Sequence, residues 1–151
     1  MDNPKKIHYE LAHFYPNFNR QKFFDLIVDH EAWTNSEFLP EIRIIKPGKN
    51  HPLGLGAVRL VISGRMNIKE DVIGFESPNY FSYTSHNGSM PVNDFSGELF
   101  LEDKNGGVFV KYKGSFNPKY FGTGWLFKYL FQSAQKSAFR NLGKAYQAYS
   151  W

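Results

Sequence analysis

The side chains in this 151-residue sequence that could move a proton or bind an ion are five histidines and fourteen carboxylates, with no cysteine beside them. Without a thiol there is no disulfide, no thiolate nucleophile, no iron–sulfur cluster and no cysteine-held zinc. His8, His13, His30, His51 and His86 stand at no HExxH or other ligand spacing, so neither a metal nor another cofactor is expected. Among the acids, Glu70 alternates with Ile68 and Val72. If that face points inward, its carboxylate loses water and its pKa rises, making it a possible general base or a hydrogen-bond partner for a ligand hydroxyl. A register slip of one residue would bring Asp71 inward instead. Arg59, on the preceding apolar run, could neutralise whichever acid is buried. His86 ends a run that carries Phe81 and Tyr83 and could sit at a cavity rim. Glu70 and His86 are therefore the candidate catalytic residues, set against plainer alternatives: a structural or solvated carboxylate, and a solvent-facing histidine. Gly54-Leu55-Gly56 lacks the Lys-Ser/Thr ending of a phosphate loop and opens no helix, so it reads as a flexible hairpin loop and not as a nucleotide site.

Aromatic residues make up 18% of the chain, as 15 Phe, 9 Tyr and 3 Trp. Rings bury large areas, and a domain of this length cannot easily hide so many in a simple core. Some should line a cavity. The expected lining is Trp33, Phe38, Phe81, Tyr83, Phe95, Tyr112, Phe116, Trp125 and Tyr129, although each could equally be ordinary core. Tyr83, Tyr112 and Tyr129 carry a hydroxyl that must be satisfied when buried, which makes them candidates for polar contacts to a ligand.

The elements that must position these residues follow from periodicity. Ile7, Tyr9 and Leu11 alternate with His8, Glu10 and Ala12, predicting a half-buried strand that Pro16 ends. Phe23, Phe24, Ile27 and Val28 recur at helical spacing after Asn17 or Asn19, so a helix is expected over about 19–29, with a second helical turn over about 31–36 carrying Trp33. Six short runs separated by turn residues then predict strands at 42–46, 57–62, 67–75, 80–86, 93–102 and 108–116, with Lys104-Asn105-Gly106-Gly107 as a hairpin. From about 122 to 149 a helical period predicts one long helix, its inner stripe Leu126, Leu130, Ala134, Ala138, Leu142, Ala145 and Tyr149. Small residues in the middle of that stripe, Ser133, Ala134, Ser137 and Ala138, would leave room beneath a curved sheet. The class is α+β: a seven-stranded curved antiparallel sheet wrapped around a long C-terminal helix, with two short helices between strands 1 and 2. Residues 1–151 fit a single domain.

This order of elements resembles the helix-grip fold of the START-like group, and within it the polyketide cyclase/dehydrase branch often labelled SRPBCC. The residues that carry the resemblance are the opening strand and its proline, Asp29-His30-Glu31-Ala32-Trp33 leading to Leu39-Pro40, and Gly54-Leu55-Gly56 before a strand. To these are added the run from Ile68 to Tyr83, and Gly97-Glu98-Leu99 with Gly106-Gly107-Val108. The resemblance implies a deep hydrophobic pocket between sheet and helix, for lipids, sterols, polyketides or other flat, greasy molecules. It implies no shared reaction, because fold and site are separable.

The expected function is accordingly the binding of a small hydrophobic ligand, such as a lipid, polyketide or aromatic metabolite. The alternative is a polyketide cyclase/dehydratase-type enzyme using a pocket Tyr, His or Glu as acid–base. The net charge of +4 comes from scattered bases, including Lys111 and Lys113 on one strand and Lys128, Lys136, Arg140 and Lys144 on the wet side of a helix, so no nucleic-acid partner is expected. No stretch nears the roughly eighteen apolar residues of a membrane span, and Met-Asp-Asn-Pro-Lys-Lys precedes no apolar run. A cytoplasmic protein without integral membrane association is expected. The segment Trp125–Phe131, apolar nearly all round, leaves a homodimer or partner surface open.

Overall fold

The computed structural model describes residues 6–149. Seven strands, β1 (Ile7–Pro16), β2 (Glu41–Lys46), β3 (Val58–Ser63), β4 (Met66–Glu76), β5 (Tyr80–Ser85), β6 (Asn93–Lys104) and β7 (Gly107–Asn117), form one antiparallel sheet. Their order is β1-β7-β6-β5-β4-β3-β2. Two short helices, α1 (Arg20–Val28) and α2 (His30–Asn35), occupy the connection from β1 to β2, and α3 (Gly124–Ala148) follows β7. The expected architecture is therefore observed.

Local chemistry explains the boundaries. Asn19 accepts a hydrogen bond from the Lys22 amide at 3.0 Å and opens α1. Asp29 closes α1 with extended backbone and opens α2, its carboxylate accepting from the amides of Glu31 and Ala32. Between β6 and β7, Asn105 and Gly106 both hold positive φ, 48° and 76°, as a two-residue hairpin turn between the paired Lys104 and Gly107 requires. Pro16, expected to end the first strand, is its last residue, paired with Gly107. An edge strand tolerates proline at its end.

Register shifts in β2 at Ile44/Lys46, in β4 at Val72/Gly74 and in β6 at Asn93/Ser96 bend the sheet. Alternation then selects the inner face. Along β7 it carries Val108, Val110, Tyr112, Gly114 and Phe116, all buried, and across from them β1 presents Tyr15, His13, Leu11, Tyr9 and Ile7.

Helix α3 runs beside β1 in the same direction. Gly124 meets Ile7, Phe131 faces Tyr9, and the Tyr15 hydroxyl donates to the Phe139 carbonyl at 2.8 Å. Tyr146 stacks on Phe18 with ring centroids 3.9 Å apart. These contacts correct the expected stripe. Leu142 and Ala145 are buried and Ala138 is half-buried, but Leu126, Leu130, Ala134 and Tyr149 are exposed, and the inward positions of the first turns are Gly124, Phe127 and Phe131. The physical reason is that Trp125–Phe131 is apolar nearly all round, so periodicity alone does not choose its inner side; packing against β1 does. Among the described residues no helix is long and apolar enough to cross a membrane.

Candidate functional site

Strand pairing gathers a set of polar side chains on the inner face. Arg59 of β3 and Glu70 of β4 are register partners, so their side chains stand on one side of the sheet. The guanidinium donates to Glu70 Oε2 from Nε at 3.1 Å and from Nη2 at 2.9 Å, and both residues are buried. The register left open by sequence is thus resolved with Glu70 inside. Burial raises the Glu70 pKa above the ordinary carboxylate value, while the charge and hydrogen bonds of Arg59 pull the other way without cancelling the rise. The Arg59 guanidinium also lies 4.9 Å from the Phe81 ring centre and 5.4 Å from that of Tyr83, a cation–π arrangement.

Beside the ion pair is a cluster of phenols. Gly97 of β6 and Gly114 of β7 are register partners, and two adjacent positions without side chains leave a hollow in the inner layer. Tyrosines fill it. A Cβ on Gly97 would stand 2.6 Å from the Tyr112 hydroxyl and 2.7 Å from that of Tyr83, and one on Gly114 would collide with the Tyr9 ring. The hydroxyls of Tyr83 and Tyr112 are 3.0 Å apart. Burial pushes the Tyr9 phenol up to about 12. Tyr83 and Tyr112 are raised further, again by burial first, with the Glu70 charge adding to Tyr83. All three stay neutral near pH 7 and keep a proton to donate.

Ser85, opposite Glu70, completes the polar group. It is buried, and its Oγ has no hydrogen-bond partner. An unsatisfied buried hydroxyl costs about 1–3 kcal/mol.

The remaining walls are rings. Phe131 of α3 sits with its ring centre 5.3 Å from Phe95, 5.2 Å from Phe116 and 6.5 Å from Tyr9, and Phe139 lies edge-on to Tyr112 at 6.5 Å. Of the aromatics expected at a pocket, Phe81, Tyr83, Phe95, Tyr112 and Phe116 converge on this inner face. Phe38 instead lines a surface cleft of about 520 Å³ with Leu26, Ala145 and Tyr149, and Trp33 donates its indole N–H to the Leu26 carbonyl at 2.9 Å. Trp125 and Tyr129 do not join the group at all, because they face outward on α3.

His86 also lies elsewhere. It follows Ser85, so alternation turns it to the outer face, where its Nε2 is 2.9 Å from Asp71 Oδ2 at the edge of a cleft of about 530 Å³. Glu70 and His86 therefore cannot act as one pair. Sequence reasoning passed over Tyr9, Ser85 and Phe131. The signals existed: Tyr9 alternates with Ile7 and Leu11, Ser85 is two residues past Tyr83, and Phe131 is one helical turn past Phe127. Among the described residues no group of three His, Cys, Asp or Glu could hold a metal ion.

A curved seven-stranded antiparallel sheet gripping a long terminal helix, with two short helices after the first strand, is the helix-grip, Bet v 1-like fold. The structure titled "Crystal structure of Ara h 8.0201" is similar, with a TM-score of 0.74 and 17% sequence identity over 96% of this chain and 100% of that one. The likeness is one of fold alone. No protein-family model and no curated protein sequence matches the chain.

Proposed function

We propose that the chain binds a small hydrophobic molecule carrying a polar group, such as a lipid, a polyketide or an aromatic metabolite, between the inner sheet face and α3. One observation carries this reading: a buried ion pair, three phenols and an unpartnered serine hydroxyl share the face where a purely structural interior would be apolar. Phe81, Phe95 and Phe116 supply apolar burial, while Tyr83, Tyr112 and Ser85 supply donors that orient the ligand. No cofactor is part of the proposal, and the protein is placed in the cytoplasm. Phe131 packs on Tyr9, Phe95 and Phe116, and its ring moves aside when a ligand enters between α3 and the sheet.

The test is a thermal-shift panel of fatty acids, apolar dyes and aromatic polyketides, followed by native mass spectrometry of protein from its own source. A ligand at a hundredfold excess over Kd adds about 2.7 kcal/mol, a rise of roughly 5–10 °C for a chain of this length. A flat response across the panel ends the proposal.

The raised pKa of Glu70 beside Tyr83 favours a second reading, a polyketide cyclase/dehydratase-type enzyme. Here the aromatic wall orients a reactive chain and Glu70 or a phenol transfers the proton. Conversion of a linear polyketone that Glu70→Gln abolishes while binding persists would select this reading; binding without conversion would leave the first.

A further inference from the structure

We propose that the first half of α3, with the turn before it, docks onto a membrane surface containing anionic lipid. The surface there is unusual in its residues. Phe121 is fully exposed, Trp125 is 72%, Tyr120 67%, Tyr129 66% and Leu130 46% exposed. Trp125, Leu126, Tyr129 and Leu130 recur at one-turn spacing and form one outward face, and Tyr120 and Phe121 stand in the turn that leads into it. Water is a poor partner for so many rings, whereas the interface of a bilayer takes Trp and Tyr readily.

Charge decides what covers this face. From Lys119 to the end of the sequence the ionisable side chains of fixed charge are Lys119, Lys128, Lys136, Arg140 and Lys144, with no Asp or Glu. Lys136 and Arg140 lie about three and four turns beyond Trp125, so they extend the aromatic face into a basic one. Asp94 accepts a hydrogen bond from the Asn117 side-chain amide at 2.8 Å, just before this segment begins at Lys119. Interfacial helices combine these features: aromatic and aliphatic residues that sink below the headgroups, and bases that pair with them. A second copy of the chain fits less well, because a two-fold contact would bring this basic face against itself. The helix lies on the bilayer and does not enter it, since it is not apolar enough to span and Phe139, Leu142 and Ala145 are buried against the rest of the domain. This inference stands apart from ligand binding in the interior.

The test uses the full chain with vesicles of phosphatidylcholine alone and of phosphatidylcholine mixed with phosphatidylglycerol, read by co-sedimentation and by tryptophan emission. Binding is expected with the anionic vesicles, weakening as salt rises, with a blue shift of emission that Trp125→Phe diminishes. The combined variant Phe121→Ser, Trp125→Ser and Tyr129→Ser should keep its circular dichroism and Tm, because these side chains are exposed, and lose about tenfold or more in vesicle partitioning. Lys128→Gln with Lys136→Gln and Arg140→Gln should remove the preference for phosphatidylglycerol. Absence of vesicle binding at low salt would overturn the proposal, as would unchanged binding by the aromatic variant. So would a dimer in sedimentation velocity that the aromatic variant dissociates, which would assign the face to self-association.

Discussion

Glu70 and Arg59 show how a single register choice sets the chemistry of the interior. Their pairing across β3 and β4 sinks both charges into an aromatic surround, where either alone would be costly. Arg59→Ala is expected to destabilise by about 3–5 kcal/mol, since it leaves a buried carboxylate unpaired; urea unfolding measures this. Replacing both, as Arg59→Met with Glu70→Leu, should return stability to within about 1–2 kcal/mol of the parent. If the pair serves a ligand, the double variant stays folded and loses the ligand-induced Tm rise. The two glycines are an equally local matter. Gly97→Ala places a methyl group 2.6 Å from the Tyr112 hydroxyl, and overpacking of this kind costs about 1–3 kcal/mol. It should also part Tyr83 from Tyr112, seen as a change in near-ultraviolet circular dichroism.

At the scale of elements, α3 is two helices in one. Its second half is amphipathic, and the sequence turns Leu142 and Ala145 inward correctly while passing over the buried Phe139 and counting the exposed Tyr149 as an inner residue. Its first half is apolar nearly all round, Lys128 apart, and the sequence offers no reason to prefer Leu126 and Leu130 over Phe127 and Phe131. The contrast can be measured. Phe131→Ala removes a ring packed on Tyr9, Phe95 and Phe116 and should cost about 2 kcal/mol, less than the 3–5 of a fully buried ring. Trp125→Ala removes a larger ring from an exposed position and should change stability by less than about 0.5 kcal/mol. A larger loss at Trp125 than at Phe131 would refute the assigned inner side of the helix.

For the whole molecule, the buried phenols tie stability to alkaline pH. Tyr9 has its pKa raised from 10.0 to about 12, and Tyr83 and Tyr112 are raised as well. Above pH 10 the unfolded chain releases these protons while the folded one retains them, so unfolding becomes more favourable as pH rises. The phenols' contribution is whole below pH 10 and is lost progressively between 10 and about 12. Tyrosinate absorbance should therefore rise in two stages: exposed phenols first, then the buried ones together with the cooperative loss of circular dichroism. A single smooth titration with the fold intact would contradict the burial of the cluster.

Local patterning determined the seven strands, the two short helices, the long terminal helix and the Asn105-Gly106 hairpin, because alternation, helical spacing and turn residues act over a few neighbours along the chain. It also put Phe81 and Tyr83 on one strand face and Tyr112 and Phe116 on one face of another. Tertiary structure alone decided that Glu70 and not Asp71 turns inward, that His86 stands on the opposite side, and that Trp125 and Tyr129 face outward. Each of those outcomes depends on which partner strand or helix lies alongside, a contact between residues distant in sequence that no local pattern encodes.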